Sequence, residues 1–192
     1  MDVIEAMLAR RSVPNLTGPA PDRSVVEEIL RAAVRVPNHF LTEPWRFIVL
    51  TGKGLDELGE ALAERVRRET PEGEHLDHKI ELERARPHRA PMIIVLVFHQ
   101  STNPKAIELE DRYSMGALGV AIMLAAKSKG LGTYWRTGPA SEDEGVKNSL
   151  GLEAGEEIAG FMYIGHVPQE QEGVELSNRT DPAELTTWRP GD

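Results

Sequence analysis

Between Lys105 and Lys129 the chain carries one long helical pattern whose second half, Met115 to Ala126, is apolar on every side and rich in Ala and Gly. A helix without a polar face cannot rest on a surface. It must be buried all round, as a core spine or as a contact between subunits, and the rest of the fold has to be arranged about it. The apolar run is roughly half of the ~20 residues needed to cross a bilayer and contains two glycines, so it is not read as a membrane span.

The flanking segments supply a sheet. Trp45 to Leu50 and Met92 to Phe98 are β-branched or aromatic runs bounded by breakers, and the second reads as buried on both faces. Gly132 to Thr137 and Ile158 to Ile164 are two further strands, with Gly130 as the C-terminal cap of the long helix. Val3, Ile4, Met7 and Leu8 form one face of a first helix ending near Arg10 or Arg11, because Pro14 disfavours helix before it. A connector over Pro14 to Pro21 leads to Ser24, whose spacing to Glu27 fits a capping box for a helix with Val25, Val26, Ile29, Leu30 and Ala33 inward, closed by Pro37. Charged helical patterns cover Leu55 to Glu69 and Leu76 to Arg86, and a short one covers Asp143 to Leu150. Helices interleaved with about four strands give an α+β or α/β protein, and 192 residues suit one domain spanning 1–192. The stretch 166–192 is polar, proline-punctuated and unable to fold alone; Leu185 and Trp188 favour its docking on another surface, a second subunit being one candidate.

The formal charge of −9 disfavours nucleic acid and anionic membranes as partners. The absence of cysteine excludes disulfides, thiolate nucleophiles and Cys-ligated clusters, so redox chemistry would have to come from a cofactor. No G-x-G-x-x-G, Walker loop or G-x-S-x-G elbow is present. His75 and His78 have metal-like spacing but lack an H-E-x-x-H context, and no metal site is assigned. The charged N-terminal residues lack a signal-peptide pattern, which reads as cytoplasmic.

Two clusters carry chemistry. Arg10, Arg11 and Ser12 sit where a helix gives way to loop, with Arg35 closing the next helix. Guanidinium forks, a hydroxyl and free N–H groups suit a phosphomonoester; equally, these arginines complement helix C-terminal dipoles. Trp135, Arg136, Thr137 and Gly138 end a strand with an aromatic plane, a cation and a hydroxyl, which could hold a flat anionic ligand. The alternative is a core Trp135 beside an edge-strand charge.

R-R-S at Arg10, A-x-R-x-P-x-H at Ala33 to His39, P-W-x-F at Pro44 to Phe47, G-L-G-T-Y-W-R-T-G at Gly130 to Gly138 and the Y-I-G-H-V-P ending at Pro168 together resemble the nitroreductase family, more narrowly its short YdjA-type branch. The likeness runs in order over nearly the whole chain. It implies an α+β fold with a mostly antiparallel sheet flanked by helices, and an intertwined homodimer with the long helix at its interface and the C-terminal extension over the partner. It further implies FMN in two interfacial pockets and NAD(P)H as reductant. Arg10, Arg11 and Ser12 then resemble phosphate and ribityl contacts, Arg35 and His39 flavin contacts made across the dimer, and Trp135, Arg136 and Thr137 the later flavin-binding strand. Ala125, Ala126, Lys127, Ser128, Lys129 and Gly130 lie where the short branch is proposed to touch the nicotinamide nucleotide. No catalytic acid or base is assigned. The loop Phe40-Leu41-Thr42-Glu43 departs from the polar, Gln-ended loop of many relatives. The reading is an oxidoreductase passing hydride in a ping-pong cycle from NAD(P)H through flavin to an electron-poor acceptor such as a nitroaromatic or quinone. A flavin-binding dimer without efficient turnover, or another flavin reaction on the same scaffold, are the alternatives.

Overall fold

The computed structural model describes residues 2–73, 75–171, 173–174 and 178–189. Helix α1 (Val3–Ala9) starts at Asp2, whose carboxylate accepts the Glu5 backbone N–H at 2.8 Å, a normal N-cap. Helix α2 (Arg23–Ala33) begins at Asp22 without a side-chain cap. The Ser24 capping box is therefore not formed: the helix opens two residues earlier and leaves Ser24 inside its first turn. Strand β1 (Trp45–Leu50), helices α3 (Lys53–Glu69) and α4 (Leu76–Ala85), strand β2 (Met92–His99) and helix α5 (Glu108–Ser128) follow. Then come strand β3 (Leu131–Arg136), short helices α6 (Pro139–Glu142) and α7 (Glu144–Ser149), strand β4 (Glu156–His166) and a single turn, α8 (Pro182–Leu185).

The strands form one sheet in the order β1-β2-β4-β3, every neighbour antiparallel. Period-two alternation sorts β2 between two cores. Met92, Ile94, Leu96 and Phe98 pack with α2 and α5, while Ile93, Val95 and Val97 pack with α3 and α7. Helices thus cover both faces, which is why β2 is apolar throughout.

Helix α5 starts at Glu108, three residues after the expected Lys105, because a turn bonded through Asn103 occupies that stretch. It is also not buried all round. Leu118, Ile122 and Ala126 are fully enclosed against the sheet, but Leu109, Tyr113 and Val120 on the other side are exposed, as are Val3, Ile4, Met7 and Leu8 of the adjoining α1. Among the described residues, these side chains form an apolar surface on α1 and α5 that the chain itself leaves exposed.

Strand β3 is tied to α5 by Trp135. A Cβ added to Gly119 of α5 would lie 2.3 Å from the indole, and one on Gly160 of β4 would lie 2.1 Å from it. Only glycine permits both approaches. The β2–β4 register shifts between Leu96 and Val97, opposite this point, so a bulge opens the sheet where the ring enters.

Arg46 of β1 forms a forked pair with Glu156 at the start of β4, and Arg112 of α5 does so with Glu157. Hydrogen bonds from these guanidiniums hold both carboxyls below the usual range. The unfolded chain therefore takes up protons first, and stability falls as pH drops through about 4.3, the loss being complete below the depressed folded values. Urea midpoints between about pH 5 and pH 3 are expected to fall less steeply in Arg46→Ala/Arg112→Ala than in the parent. Gly119→Ala is expected to cost about 1–3 kcal/mol by overpacking against Trp135. Gly73→Ala, with open space around it, should stay within about 0.5 kcal/mol; urea unfolding of both variants checks the contrast.

Candidate functional site

Two of the expected clusters, more than a hundred residues apart in sequence, line one cleft. Arg10 and Arg11 leave the end of α1, Lys127 leaves the last turn of α5, and Gly130 to Thr133 form the floor of a cavity of about 460 Å³. Val13, Met123, Leu131, Val167 and Val174 supply apolar walls. Local pairing sets this geometry: the Val13 N–H donates to the Thr133 carbonyl at 3.0 Å, so residues 12–13 run beside the outer edge of β3.

The cations differ in commitment. Arg11 donates to the Gln171 carbonyl. Arg10 approaches only the Met123 sulfur, at 4.0 Å, and Lys127 has no ion pair among the described residues. Among the described residues, Arg10 and Lys127 are thus cations at a half-apolar cleft without carboxylate partners, a setting that favours an anion. Ser12 is exposed at the β3 edge.

The other members of the segment 125–130 diverge. Ala126 is fully buried in the core. The Ser128 hydroxyl donates to the Ala125 carbonyl at 2.8 Å, and Lys129 pairs with Glu28 of α2. Only Lys127 and Gly130 of the six line the cleft.

Trp135 and Arg136 occupy opposite faces of the sheet, as successive strand residues must. The indole lies on the α5 side, its Nε1 buried without a partner. Arg136 and Thr137 line a smaller cavity on the α3 side. Their side chains do not form one joint surface for a flat ligand; only the backbone at the end of β3 belongs to both.

Arg35 is exposed beyond α2. His39 stacks on Phe40 with ring centroids 3.8 Å apart, and its Nδ1 lies 2.6 Å from Glu110 of α5. The loop around them has Phe40, Leu41 and Glu43 at φ of 57°, 50° and 44°, a left-handed conformation costly to such side chains. A polar clamp, which sequence reasoning missed, holds it. The Asn38 amide donates to Thr42 Oγ1 (2.9 Å) and Ser114 Oγ (3.2 Å) and accepts the Glu43 N–H (2.7 Å), while Thr42 donates to the buried Asp111 carboxylate. Asp111 and Ser114, three apart and so on one face of α5, facing an Asn and a Thr beside prolines, were the available signal.

Comparison with known proteins now bears on the site. The profile of the "Nitroreductase family" matches residues 7–166. This chain belongs to the nitroreductase family. It is 32% identical over 188 residues to the Escherichia coli (strain K12) protein named "Putative NAD(P)H nitroreductase YdjA", covering 98% of this chain and 100% of that one. The nitroreductase-like family protein of Bacillus cereus superposes with a TM-score of 0.84 at 26% identity, covering 100% of this chain and 97% of that one. The "putative nitroreductase" of Desulfovibrio desulfuricans, solved in complex with FMN, gives a TM-score of 0.72 at 24% identity, with 99% and 98% covered. The nitroreductase fold, a sheet flanked by helices, thus stands as expected, and the family match contains the whole sheet together with Arg10, Lys127 and Gly130 to Thr133 of the cleft.

Thr42→Val removes the donor from Asp111, whose second oxygen is already without a partner. This change is expected to cost roughly 1–3 kcal/mol in urea unfolding and to make the 38–43 loop the first site of limited proteolysis.

Proposed function

We propose that this nitroreductase-family chain is an FMN-dependent oxidoreductase that uses NAD(P)H to reduce an electron-poor acceptor of the nitroaromatic or quinone type. The observation that carries the reading is the cleft where Arg10 and Lys127, both free of carboxylate partners among the described residues, meet across apolar walls. Its volume of about 460 Å³ lies within the usual range for cofactor sites. The donor set fits a flavin mononucleotide: cations for the phosphate, apolar side chains for the ring, and the Ser12 and Thr133 edge for the ribityl hydroxyls.

Bound there, FMN would supply the two-electron hydride chemistry that links NAD(P)H to the acceptor in two separate half-reactions. The chain's own work is positional. Arg10 and Lys127 neutralise the phosphate. The β3 edge fixes the long axis of the ligand, and the walls from Val13, Leu131 and Val167 exclude water from one side.

A homodimer completes the reading. Glu110, which holds His39, and Met123, which touches Arg10, are about 20 Å apart along α5, too far for both to grip one end of a ligand in a single chain. Antiparallel packing of two α5 helices through Leu109, Tyr113 and Val120 would bring the His39 loop of one subunit beside the Arg10 cleft of the other. It would also cover the apolar face left open on α1 and α5. Residues 166–192 form the extension over the partner in this reading; Leu185 and Trp188, 76% and 84% exposed in the isolated chain, are its anchors.

The test is the visible spectrum of the purified protein after FMN addition and desalting, followed by anaerobic NADH or NADPH. Retained flavin bands that bleach with nucleotide are expected; flavin that is retained but never reduced overturns the reductase reading. Arg10→Ala is expected to weaken FMN binding by roughly 10- to 150-fold, the equivalent of about 1.5–3 kcal/mol for one charge-assisted contact, measured by flavin fluorescence titration.

A further inference from the structure

The smaller cavity at the far end of β3 is built unlike the cleft at its start. It occupies about 60 Å³ and is lined by three arginines from three elements: Arg65 of α3, Arg86 just after α4 and Arg136 of β3. Tyr163 of β4 forms its floor. Glu83 pairs with Arg86 and lies 3.9 Å from Arg65, whose other partner is Glu69 at 2.6 Å. Arg136 makes no ion pair or hydrogen bond among the described residues and touches only the Tyr134 ring, 5.9 Å from its centroid.

Charge is therefore unbalanced in a buried place. The Arg65 and Glu83 side chains are each 11% exposed, and the Nε atoms of Arg65 and Arg86 and the Oε2 of Glu83 are buried with no partner. Burial, and the Arg136 charge beside it, hold the Arg86 guanidinium below its ordinary value, with only Glu83 and Tyr163 opposing. The neighbouring carboxylate of Asp143 does not relieve this, since it is engaged by Arg68 at 2.8 Å. Like charges gathered in a low-dielectric pocket repel strongly, and they persist only where something offsets them.

The geometry points to a binding site for a compact oxyanion, seated between Arg65, Arg86 and Arg136 and distinct from the Arg10 cleft. The unpaired Arg136 fork, with the Arg65 and Arg86 guanidiniums lining the same cavity, matches acceptor oxygens. The volume holds a few water-sized groups, enough for a phosphate, a sulfate or the carboxylate end of an organic acid and too small for a flavin ring. The site stands on these residues alone and does not depend on the flavin reading.

The experiment is thermal unfolding of the purified, FMN-supplemented protein in phosphate or acetate, each against chloride of matched ionic strength. The expected result is a rise in Tm of about 2–4 °C at saturating anion, absent in Arg86→Met, with bound FMN unchanged. Phosphate alone giving the rise assigns a phosphate-type ligand; acetate giving it as well assigns a carboxylate. Because Arg86→Met strands Glu83, Glu83→Gln/Arg86→Met serves as a second variant with no buried carboxylate to orphan. No rise in the parent overturns the proposal, as does a rise that survives in both variants and so reports the Arg10 cleft. Loss of FMN from both variants would mean that the pocket belongs to the cofactor, and would overturn a separate anion site.

Discussion

Trp135 held between Gly119 and Gly160 joins the three parts on which both cavities depend. The indole spans from the long helix to the bulge in β4, fixing at once how close α5 lies to the sheet and where β3 ends. Because α5 is docked there, its last turn brings Lys127 to Arg10. Arg136, the next residue of β3, falls on the other face by strand alternation, and Thr137 lines the same smaller cavity. Shifting the ring would move both sites together, whereas a change in either arginine cluster leaves the ring in place.

The arrangement divides α5 by function. Its first half carries Asp111 and Ser114, which clamp a loop whose backbone would not otherwise hold three side chains at positive φ. Its second half is a packing spine ending in cations. A single rigid element thus connects a strained, aromatic-bearing loop to an anion-attracting cleft, and does so over a length that one subunit cannot fold back upon.

Local patterns made much of this fold legible. Strand β1 coincides with its expected limits, and β2 exceeds them by one residue, because an apolar run bounded by Pro and polar residues has few other solutions. The family likeness, carried by motifs spread along the chain, named the fold. The capping box failed because the helix opens at Asp22, two residues before Ser24, with the Asp22 carbonyl accepting the first helical N–H groups. The pairing of Trp135 with Arg136 as one surface was at odds with strand alternation, which the sequence already contained. What could not be read was every contact joining distant segments. Arg10 with Lys127, Asn38 with Ser114, and Arg65 with Arg86 and Arg136 arise from strand order and helix crossing, and no periodicity encodes those.

The strand order has one more consequence. No two neighbouring strands form a hairpin: α3 and α4 lie between β1 and β2, and α5, β3 and two short helices lie between β2 and β4. Every sheet contact must therefore close a long loop before it is rewarded, which slows folding. Meanwhile Met92 to Phe98 offers seven consecutive apolar residues without a charge, proline or glycine, the composition of a self-associating cross-β segment. Arg89 and Pro91 on one side and His99 on the other act as gatekeepers. The central strand that makes the native core so tightly packed is also the segment this chain has most need to shield on the ribosome.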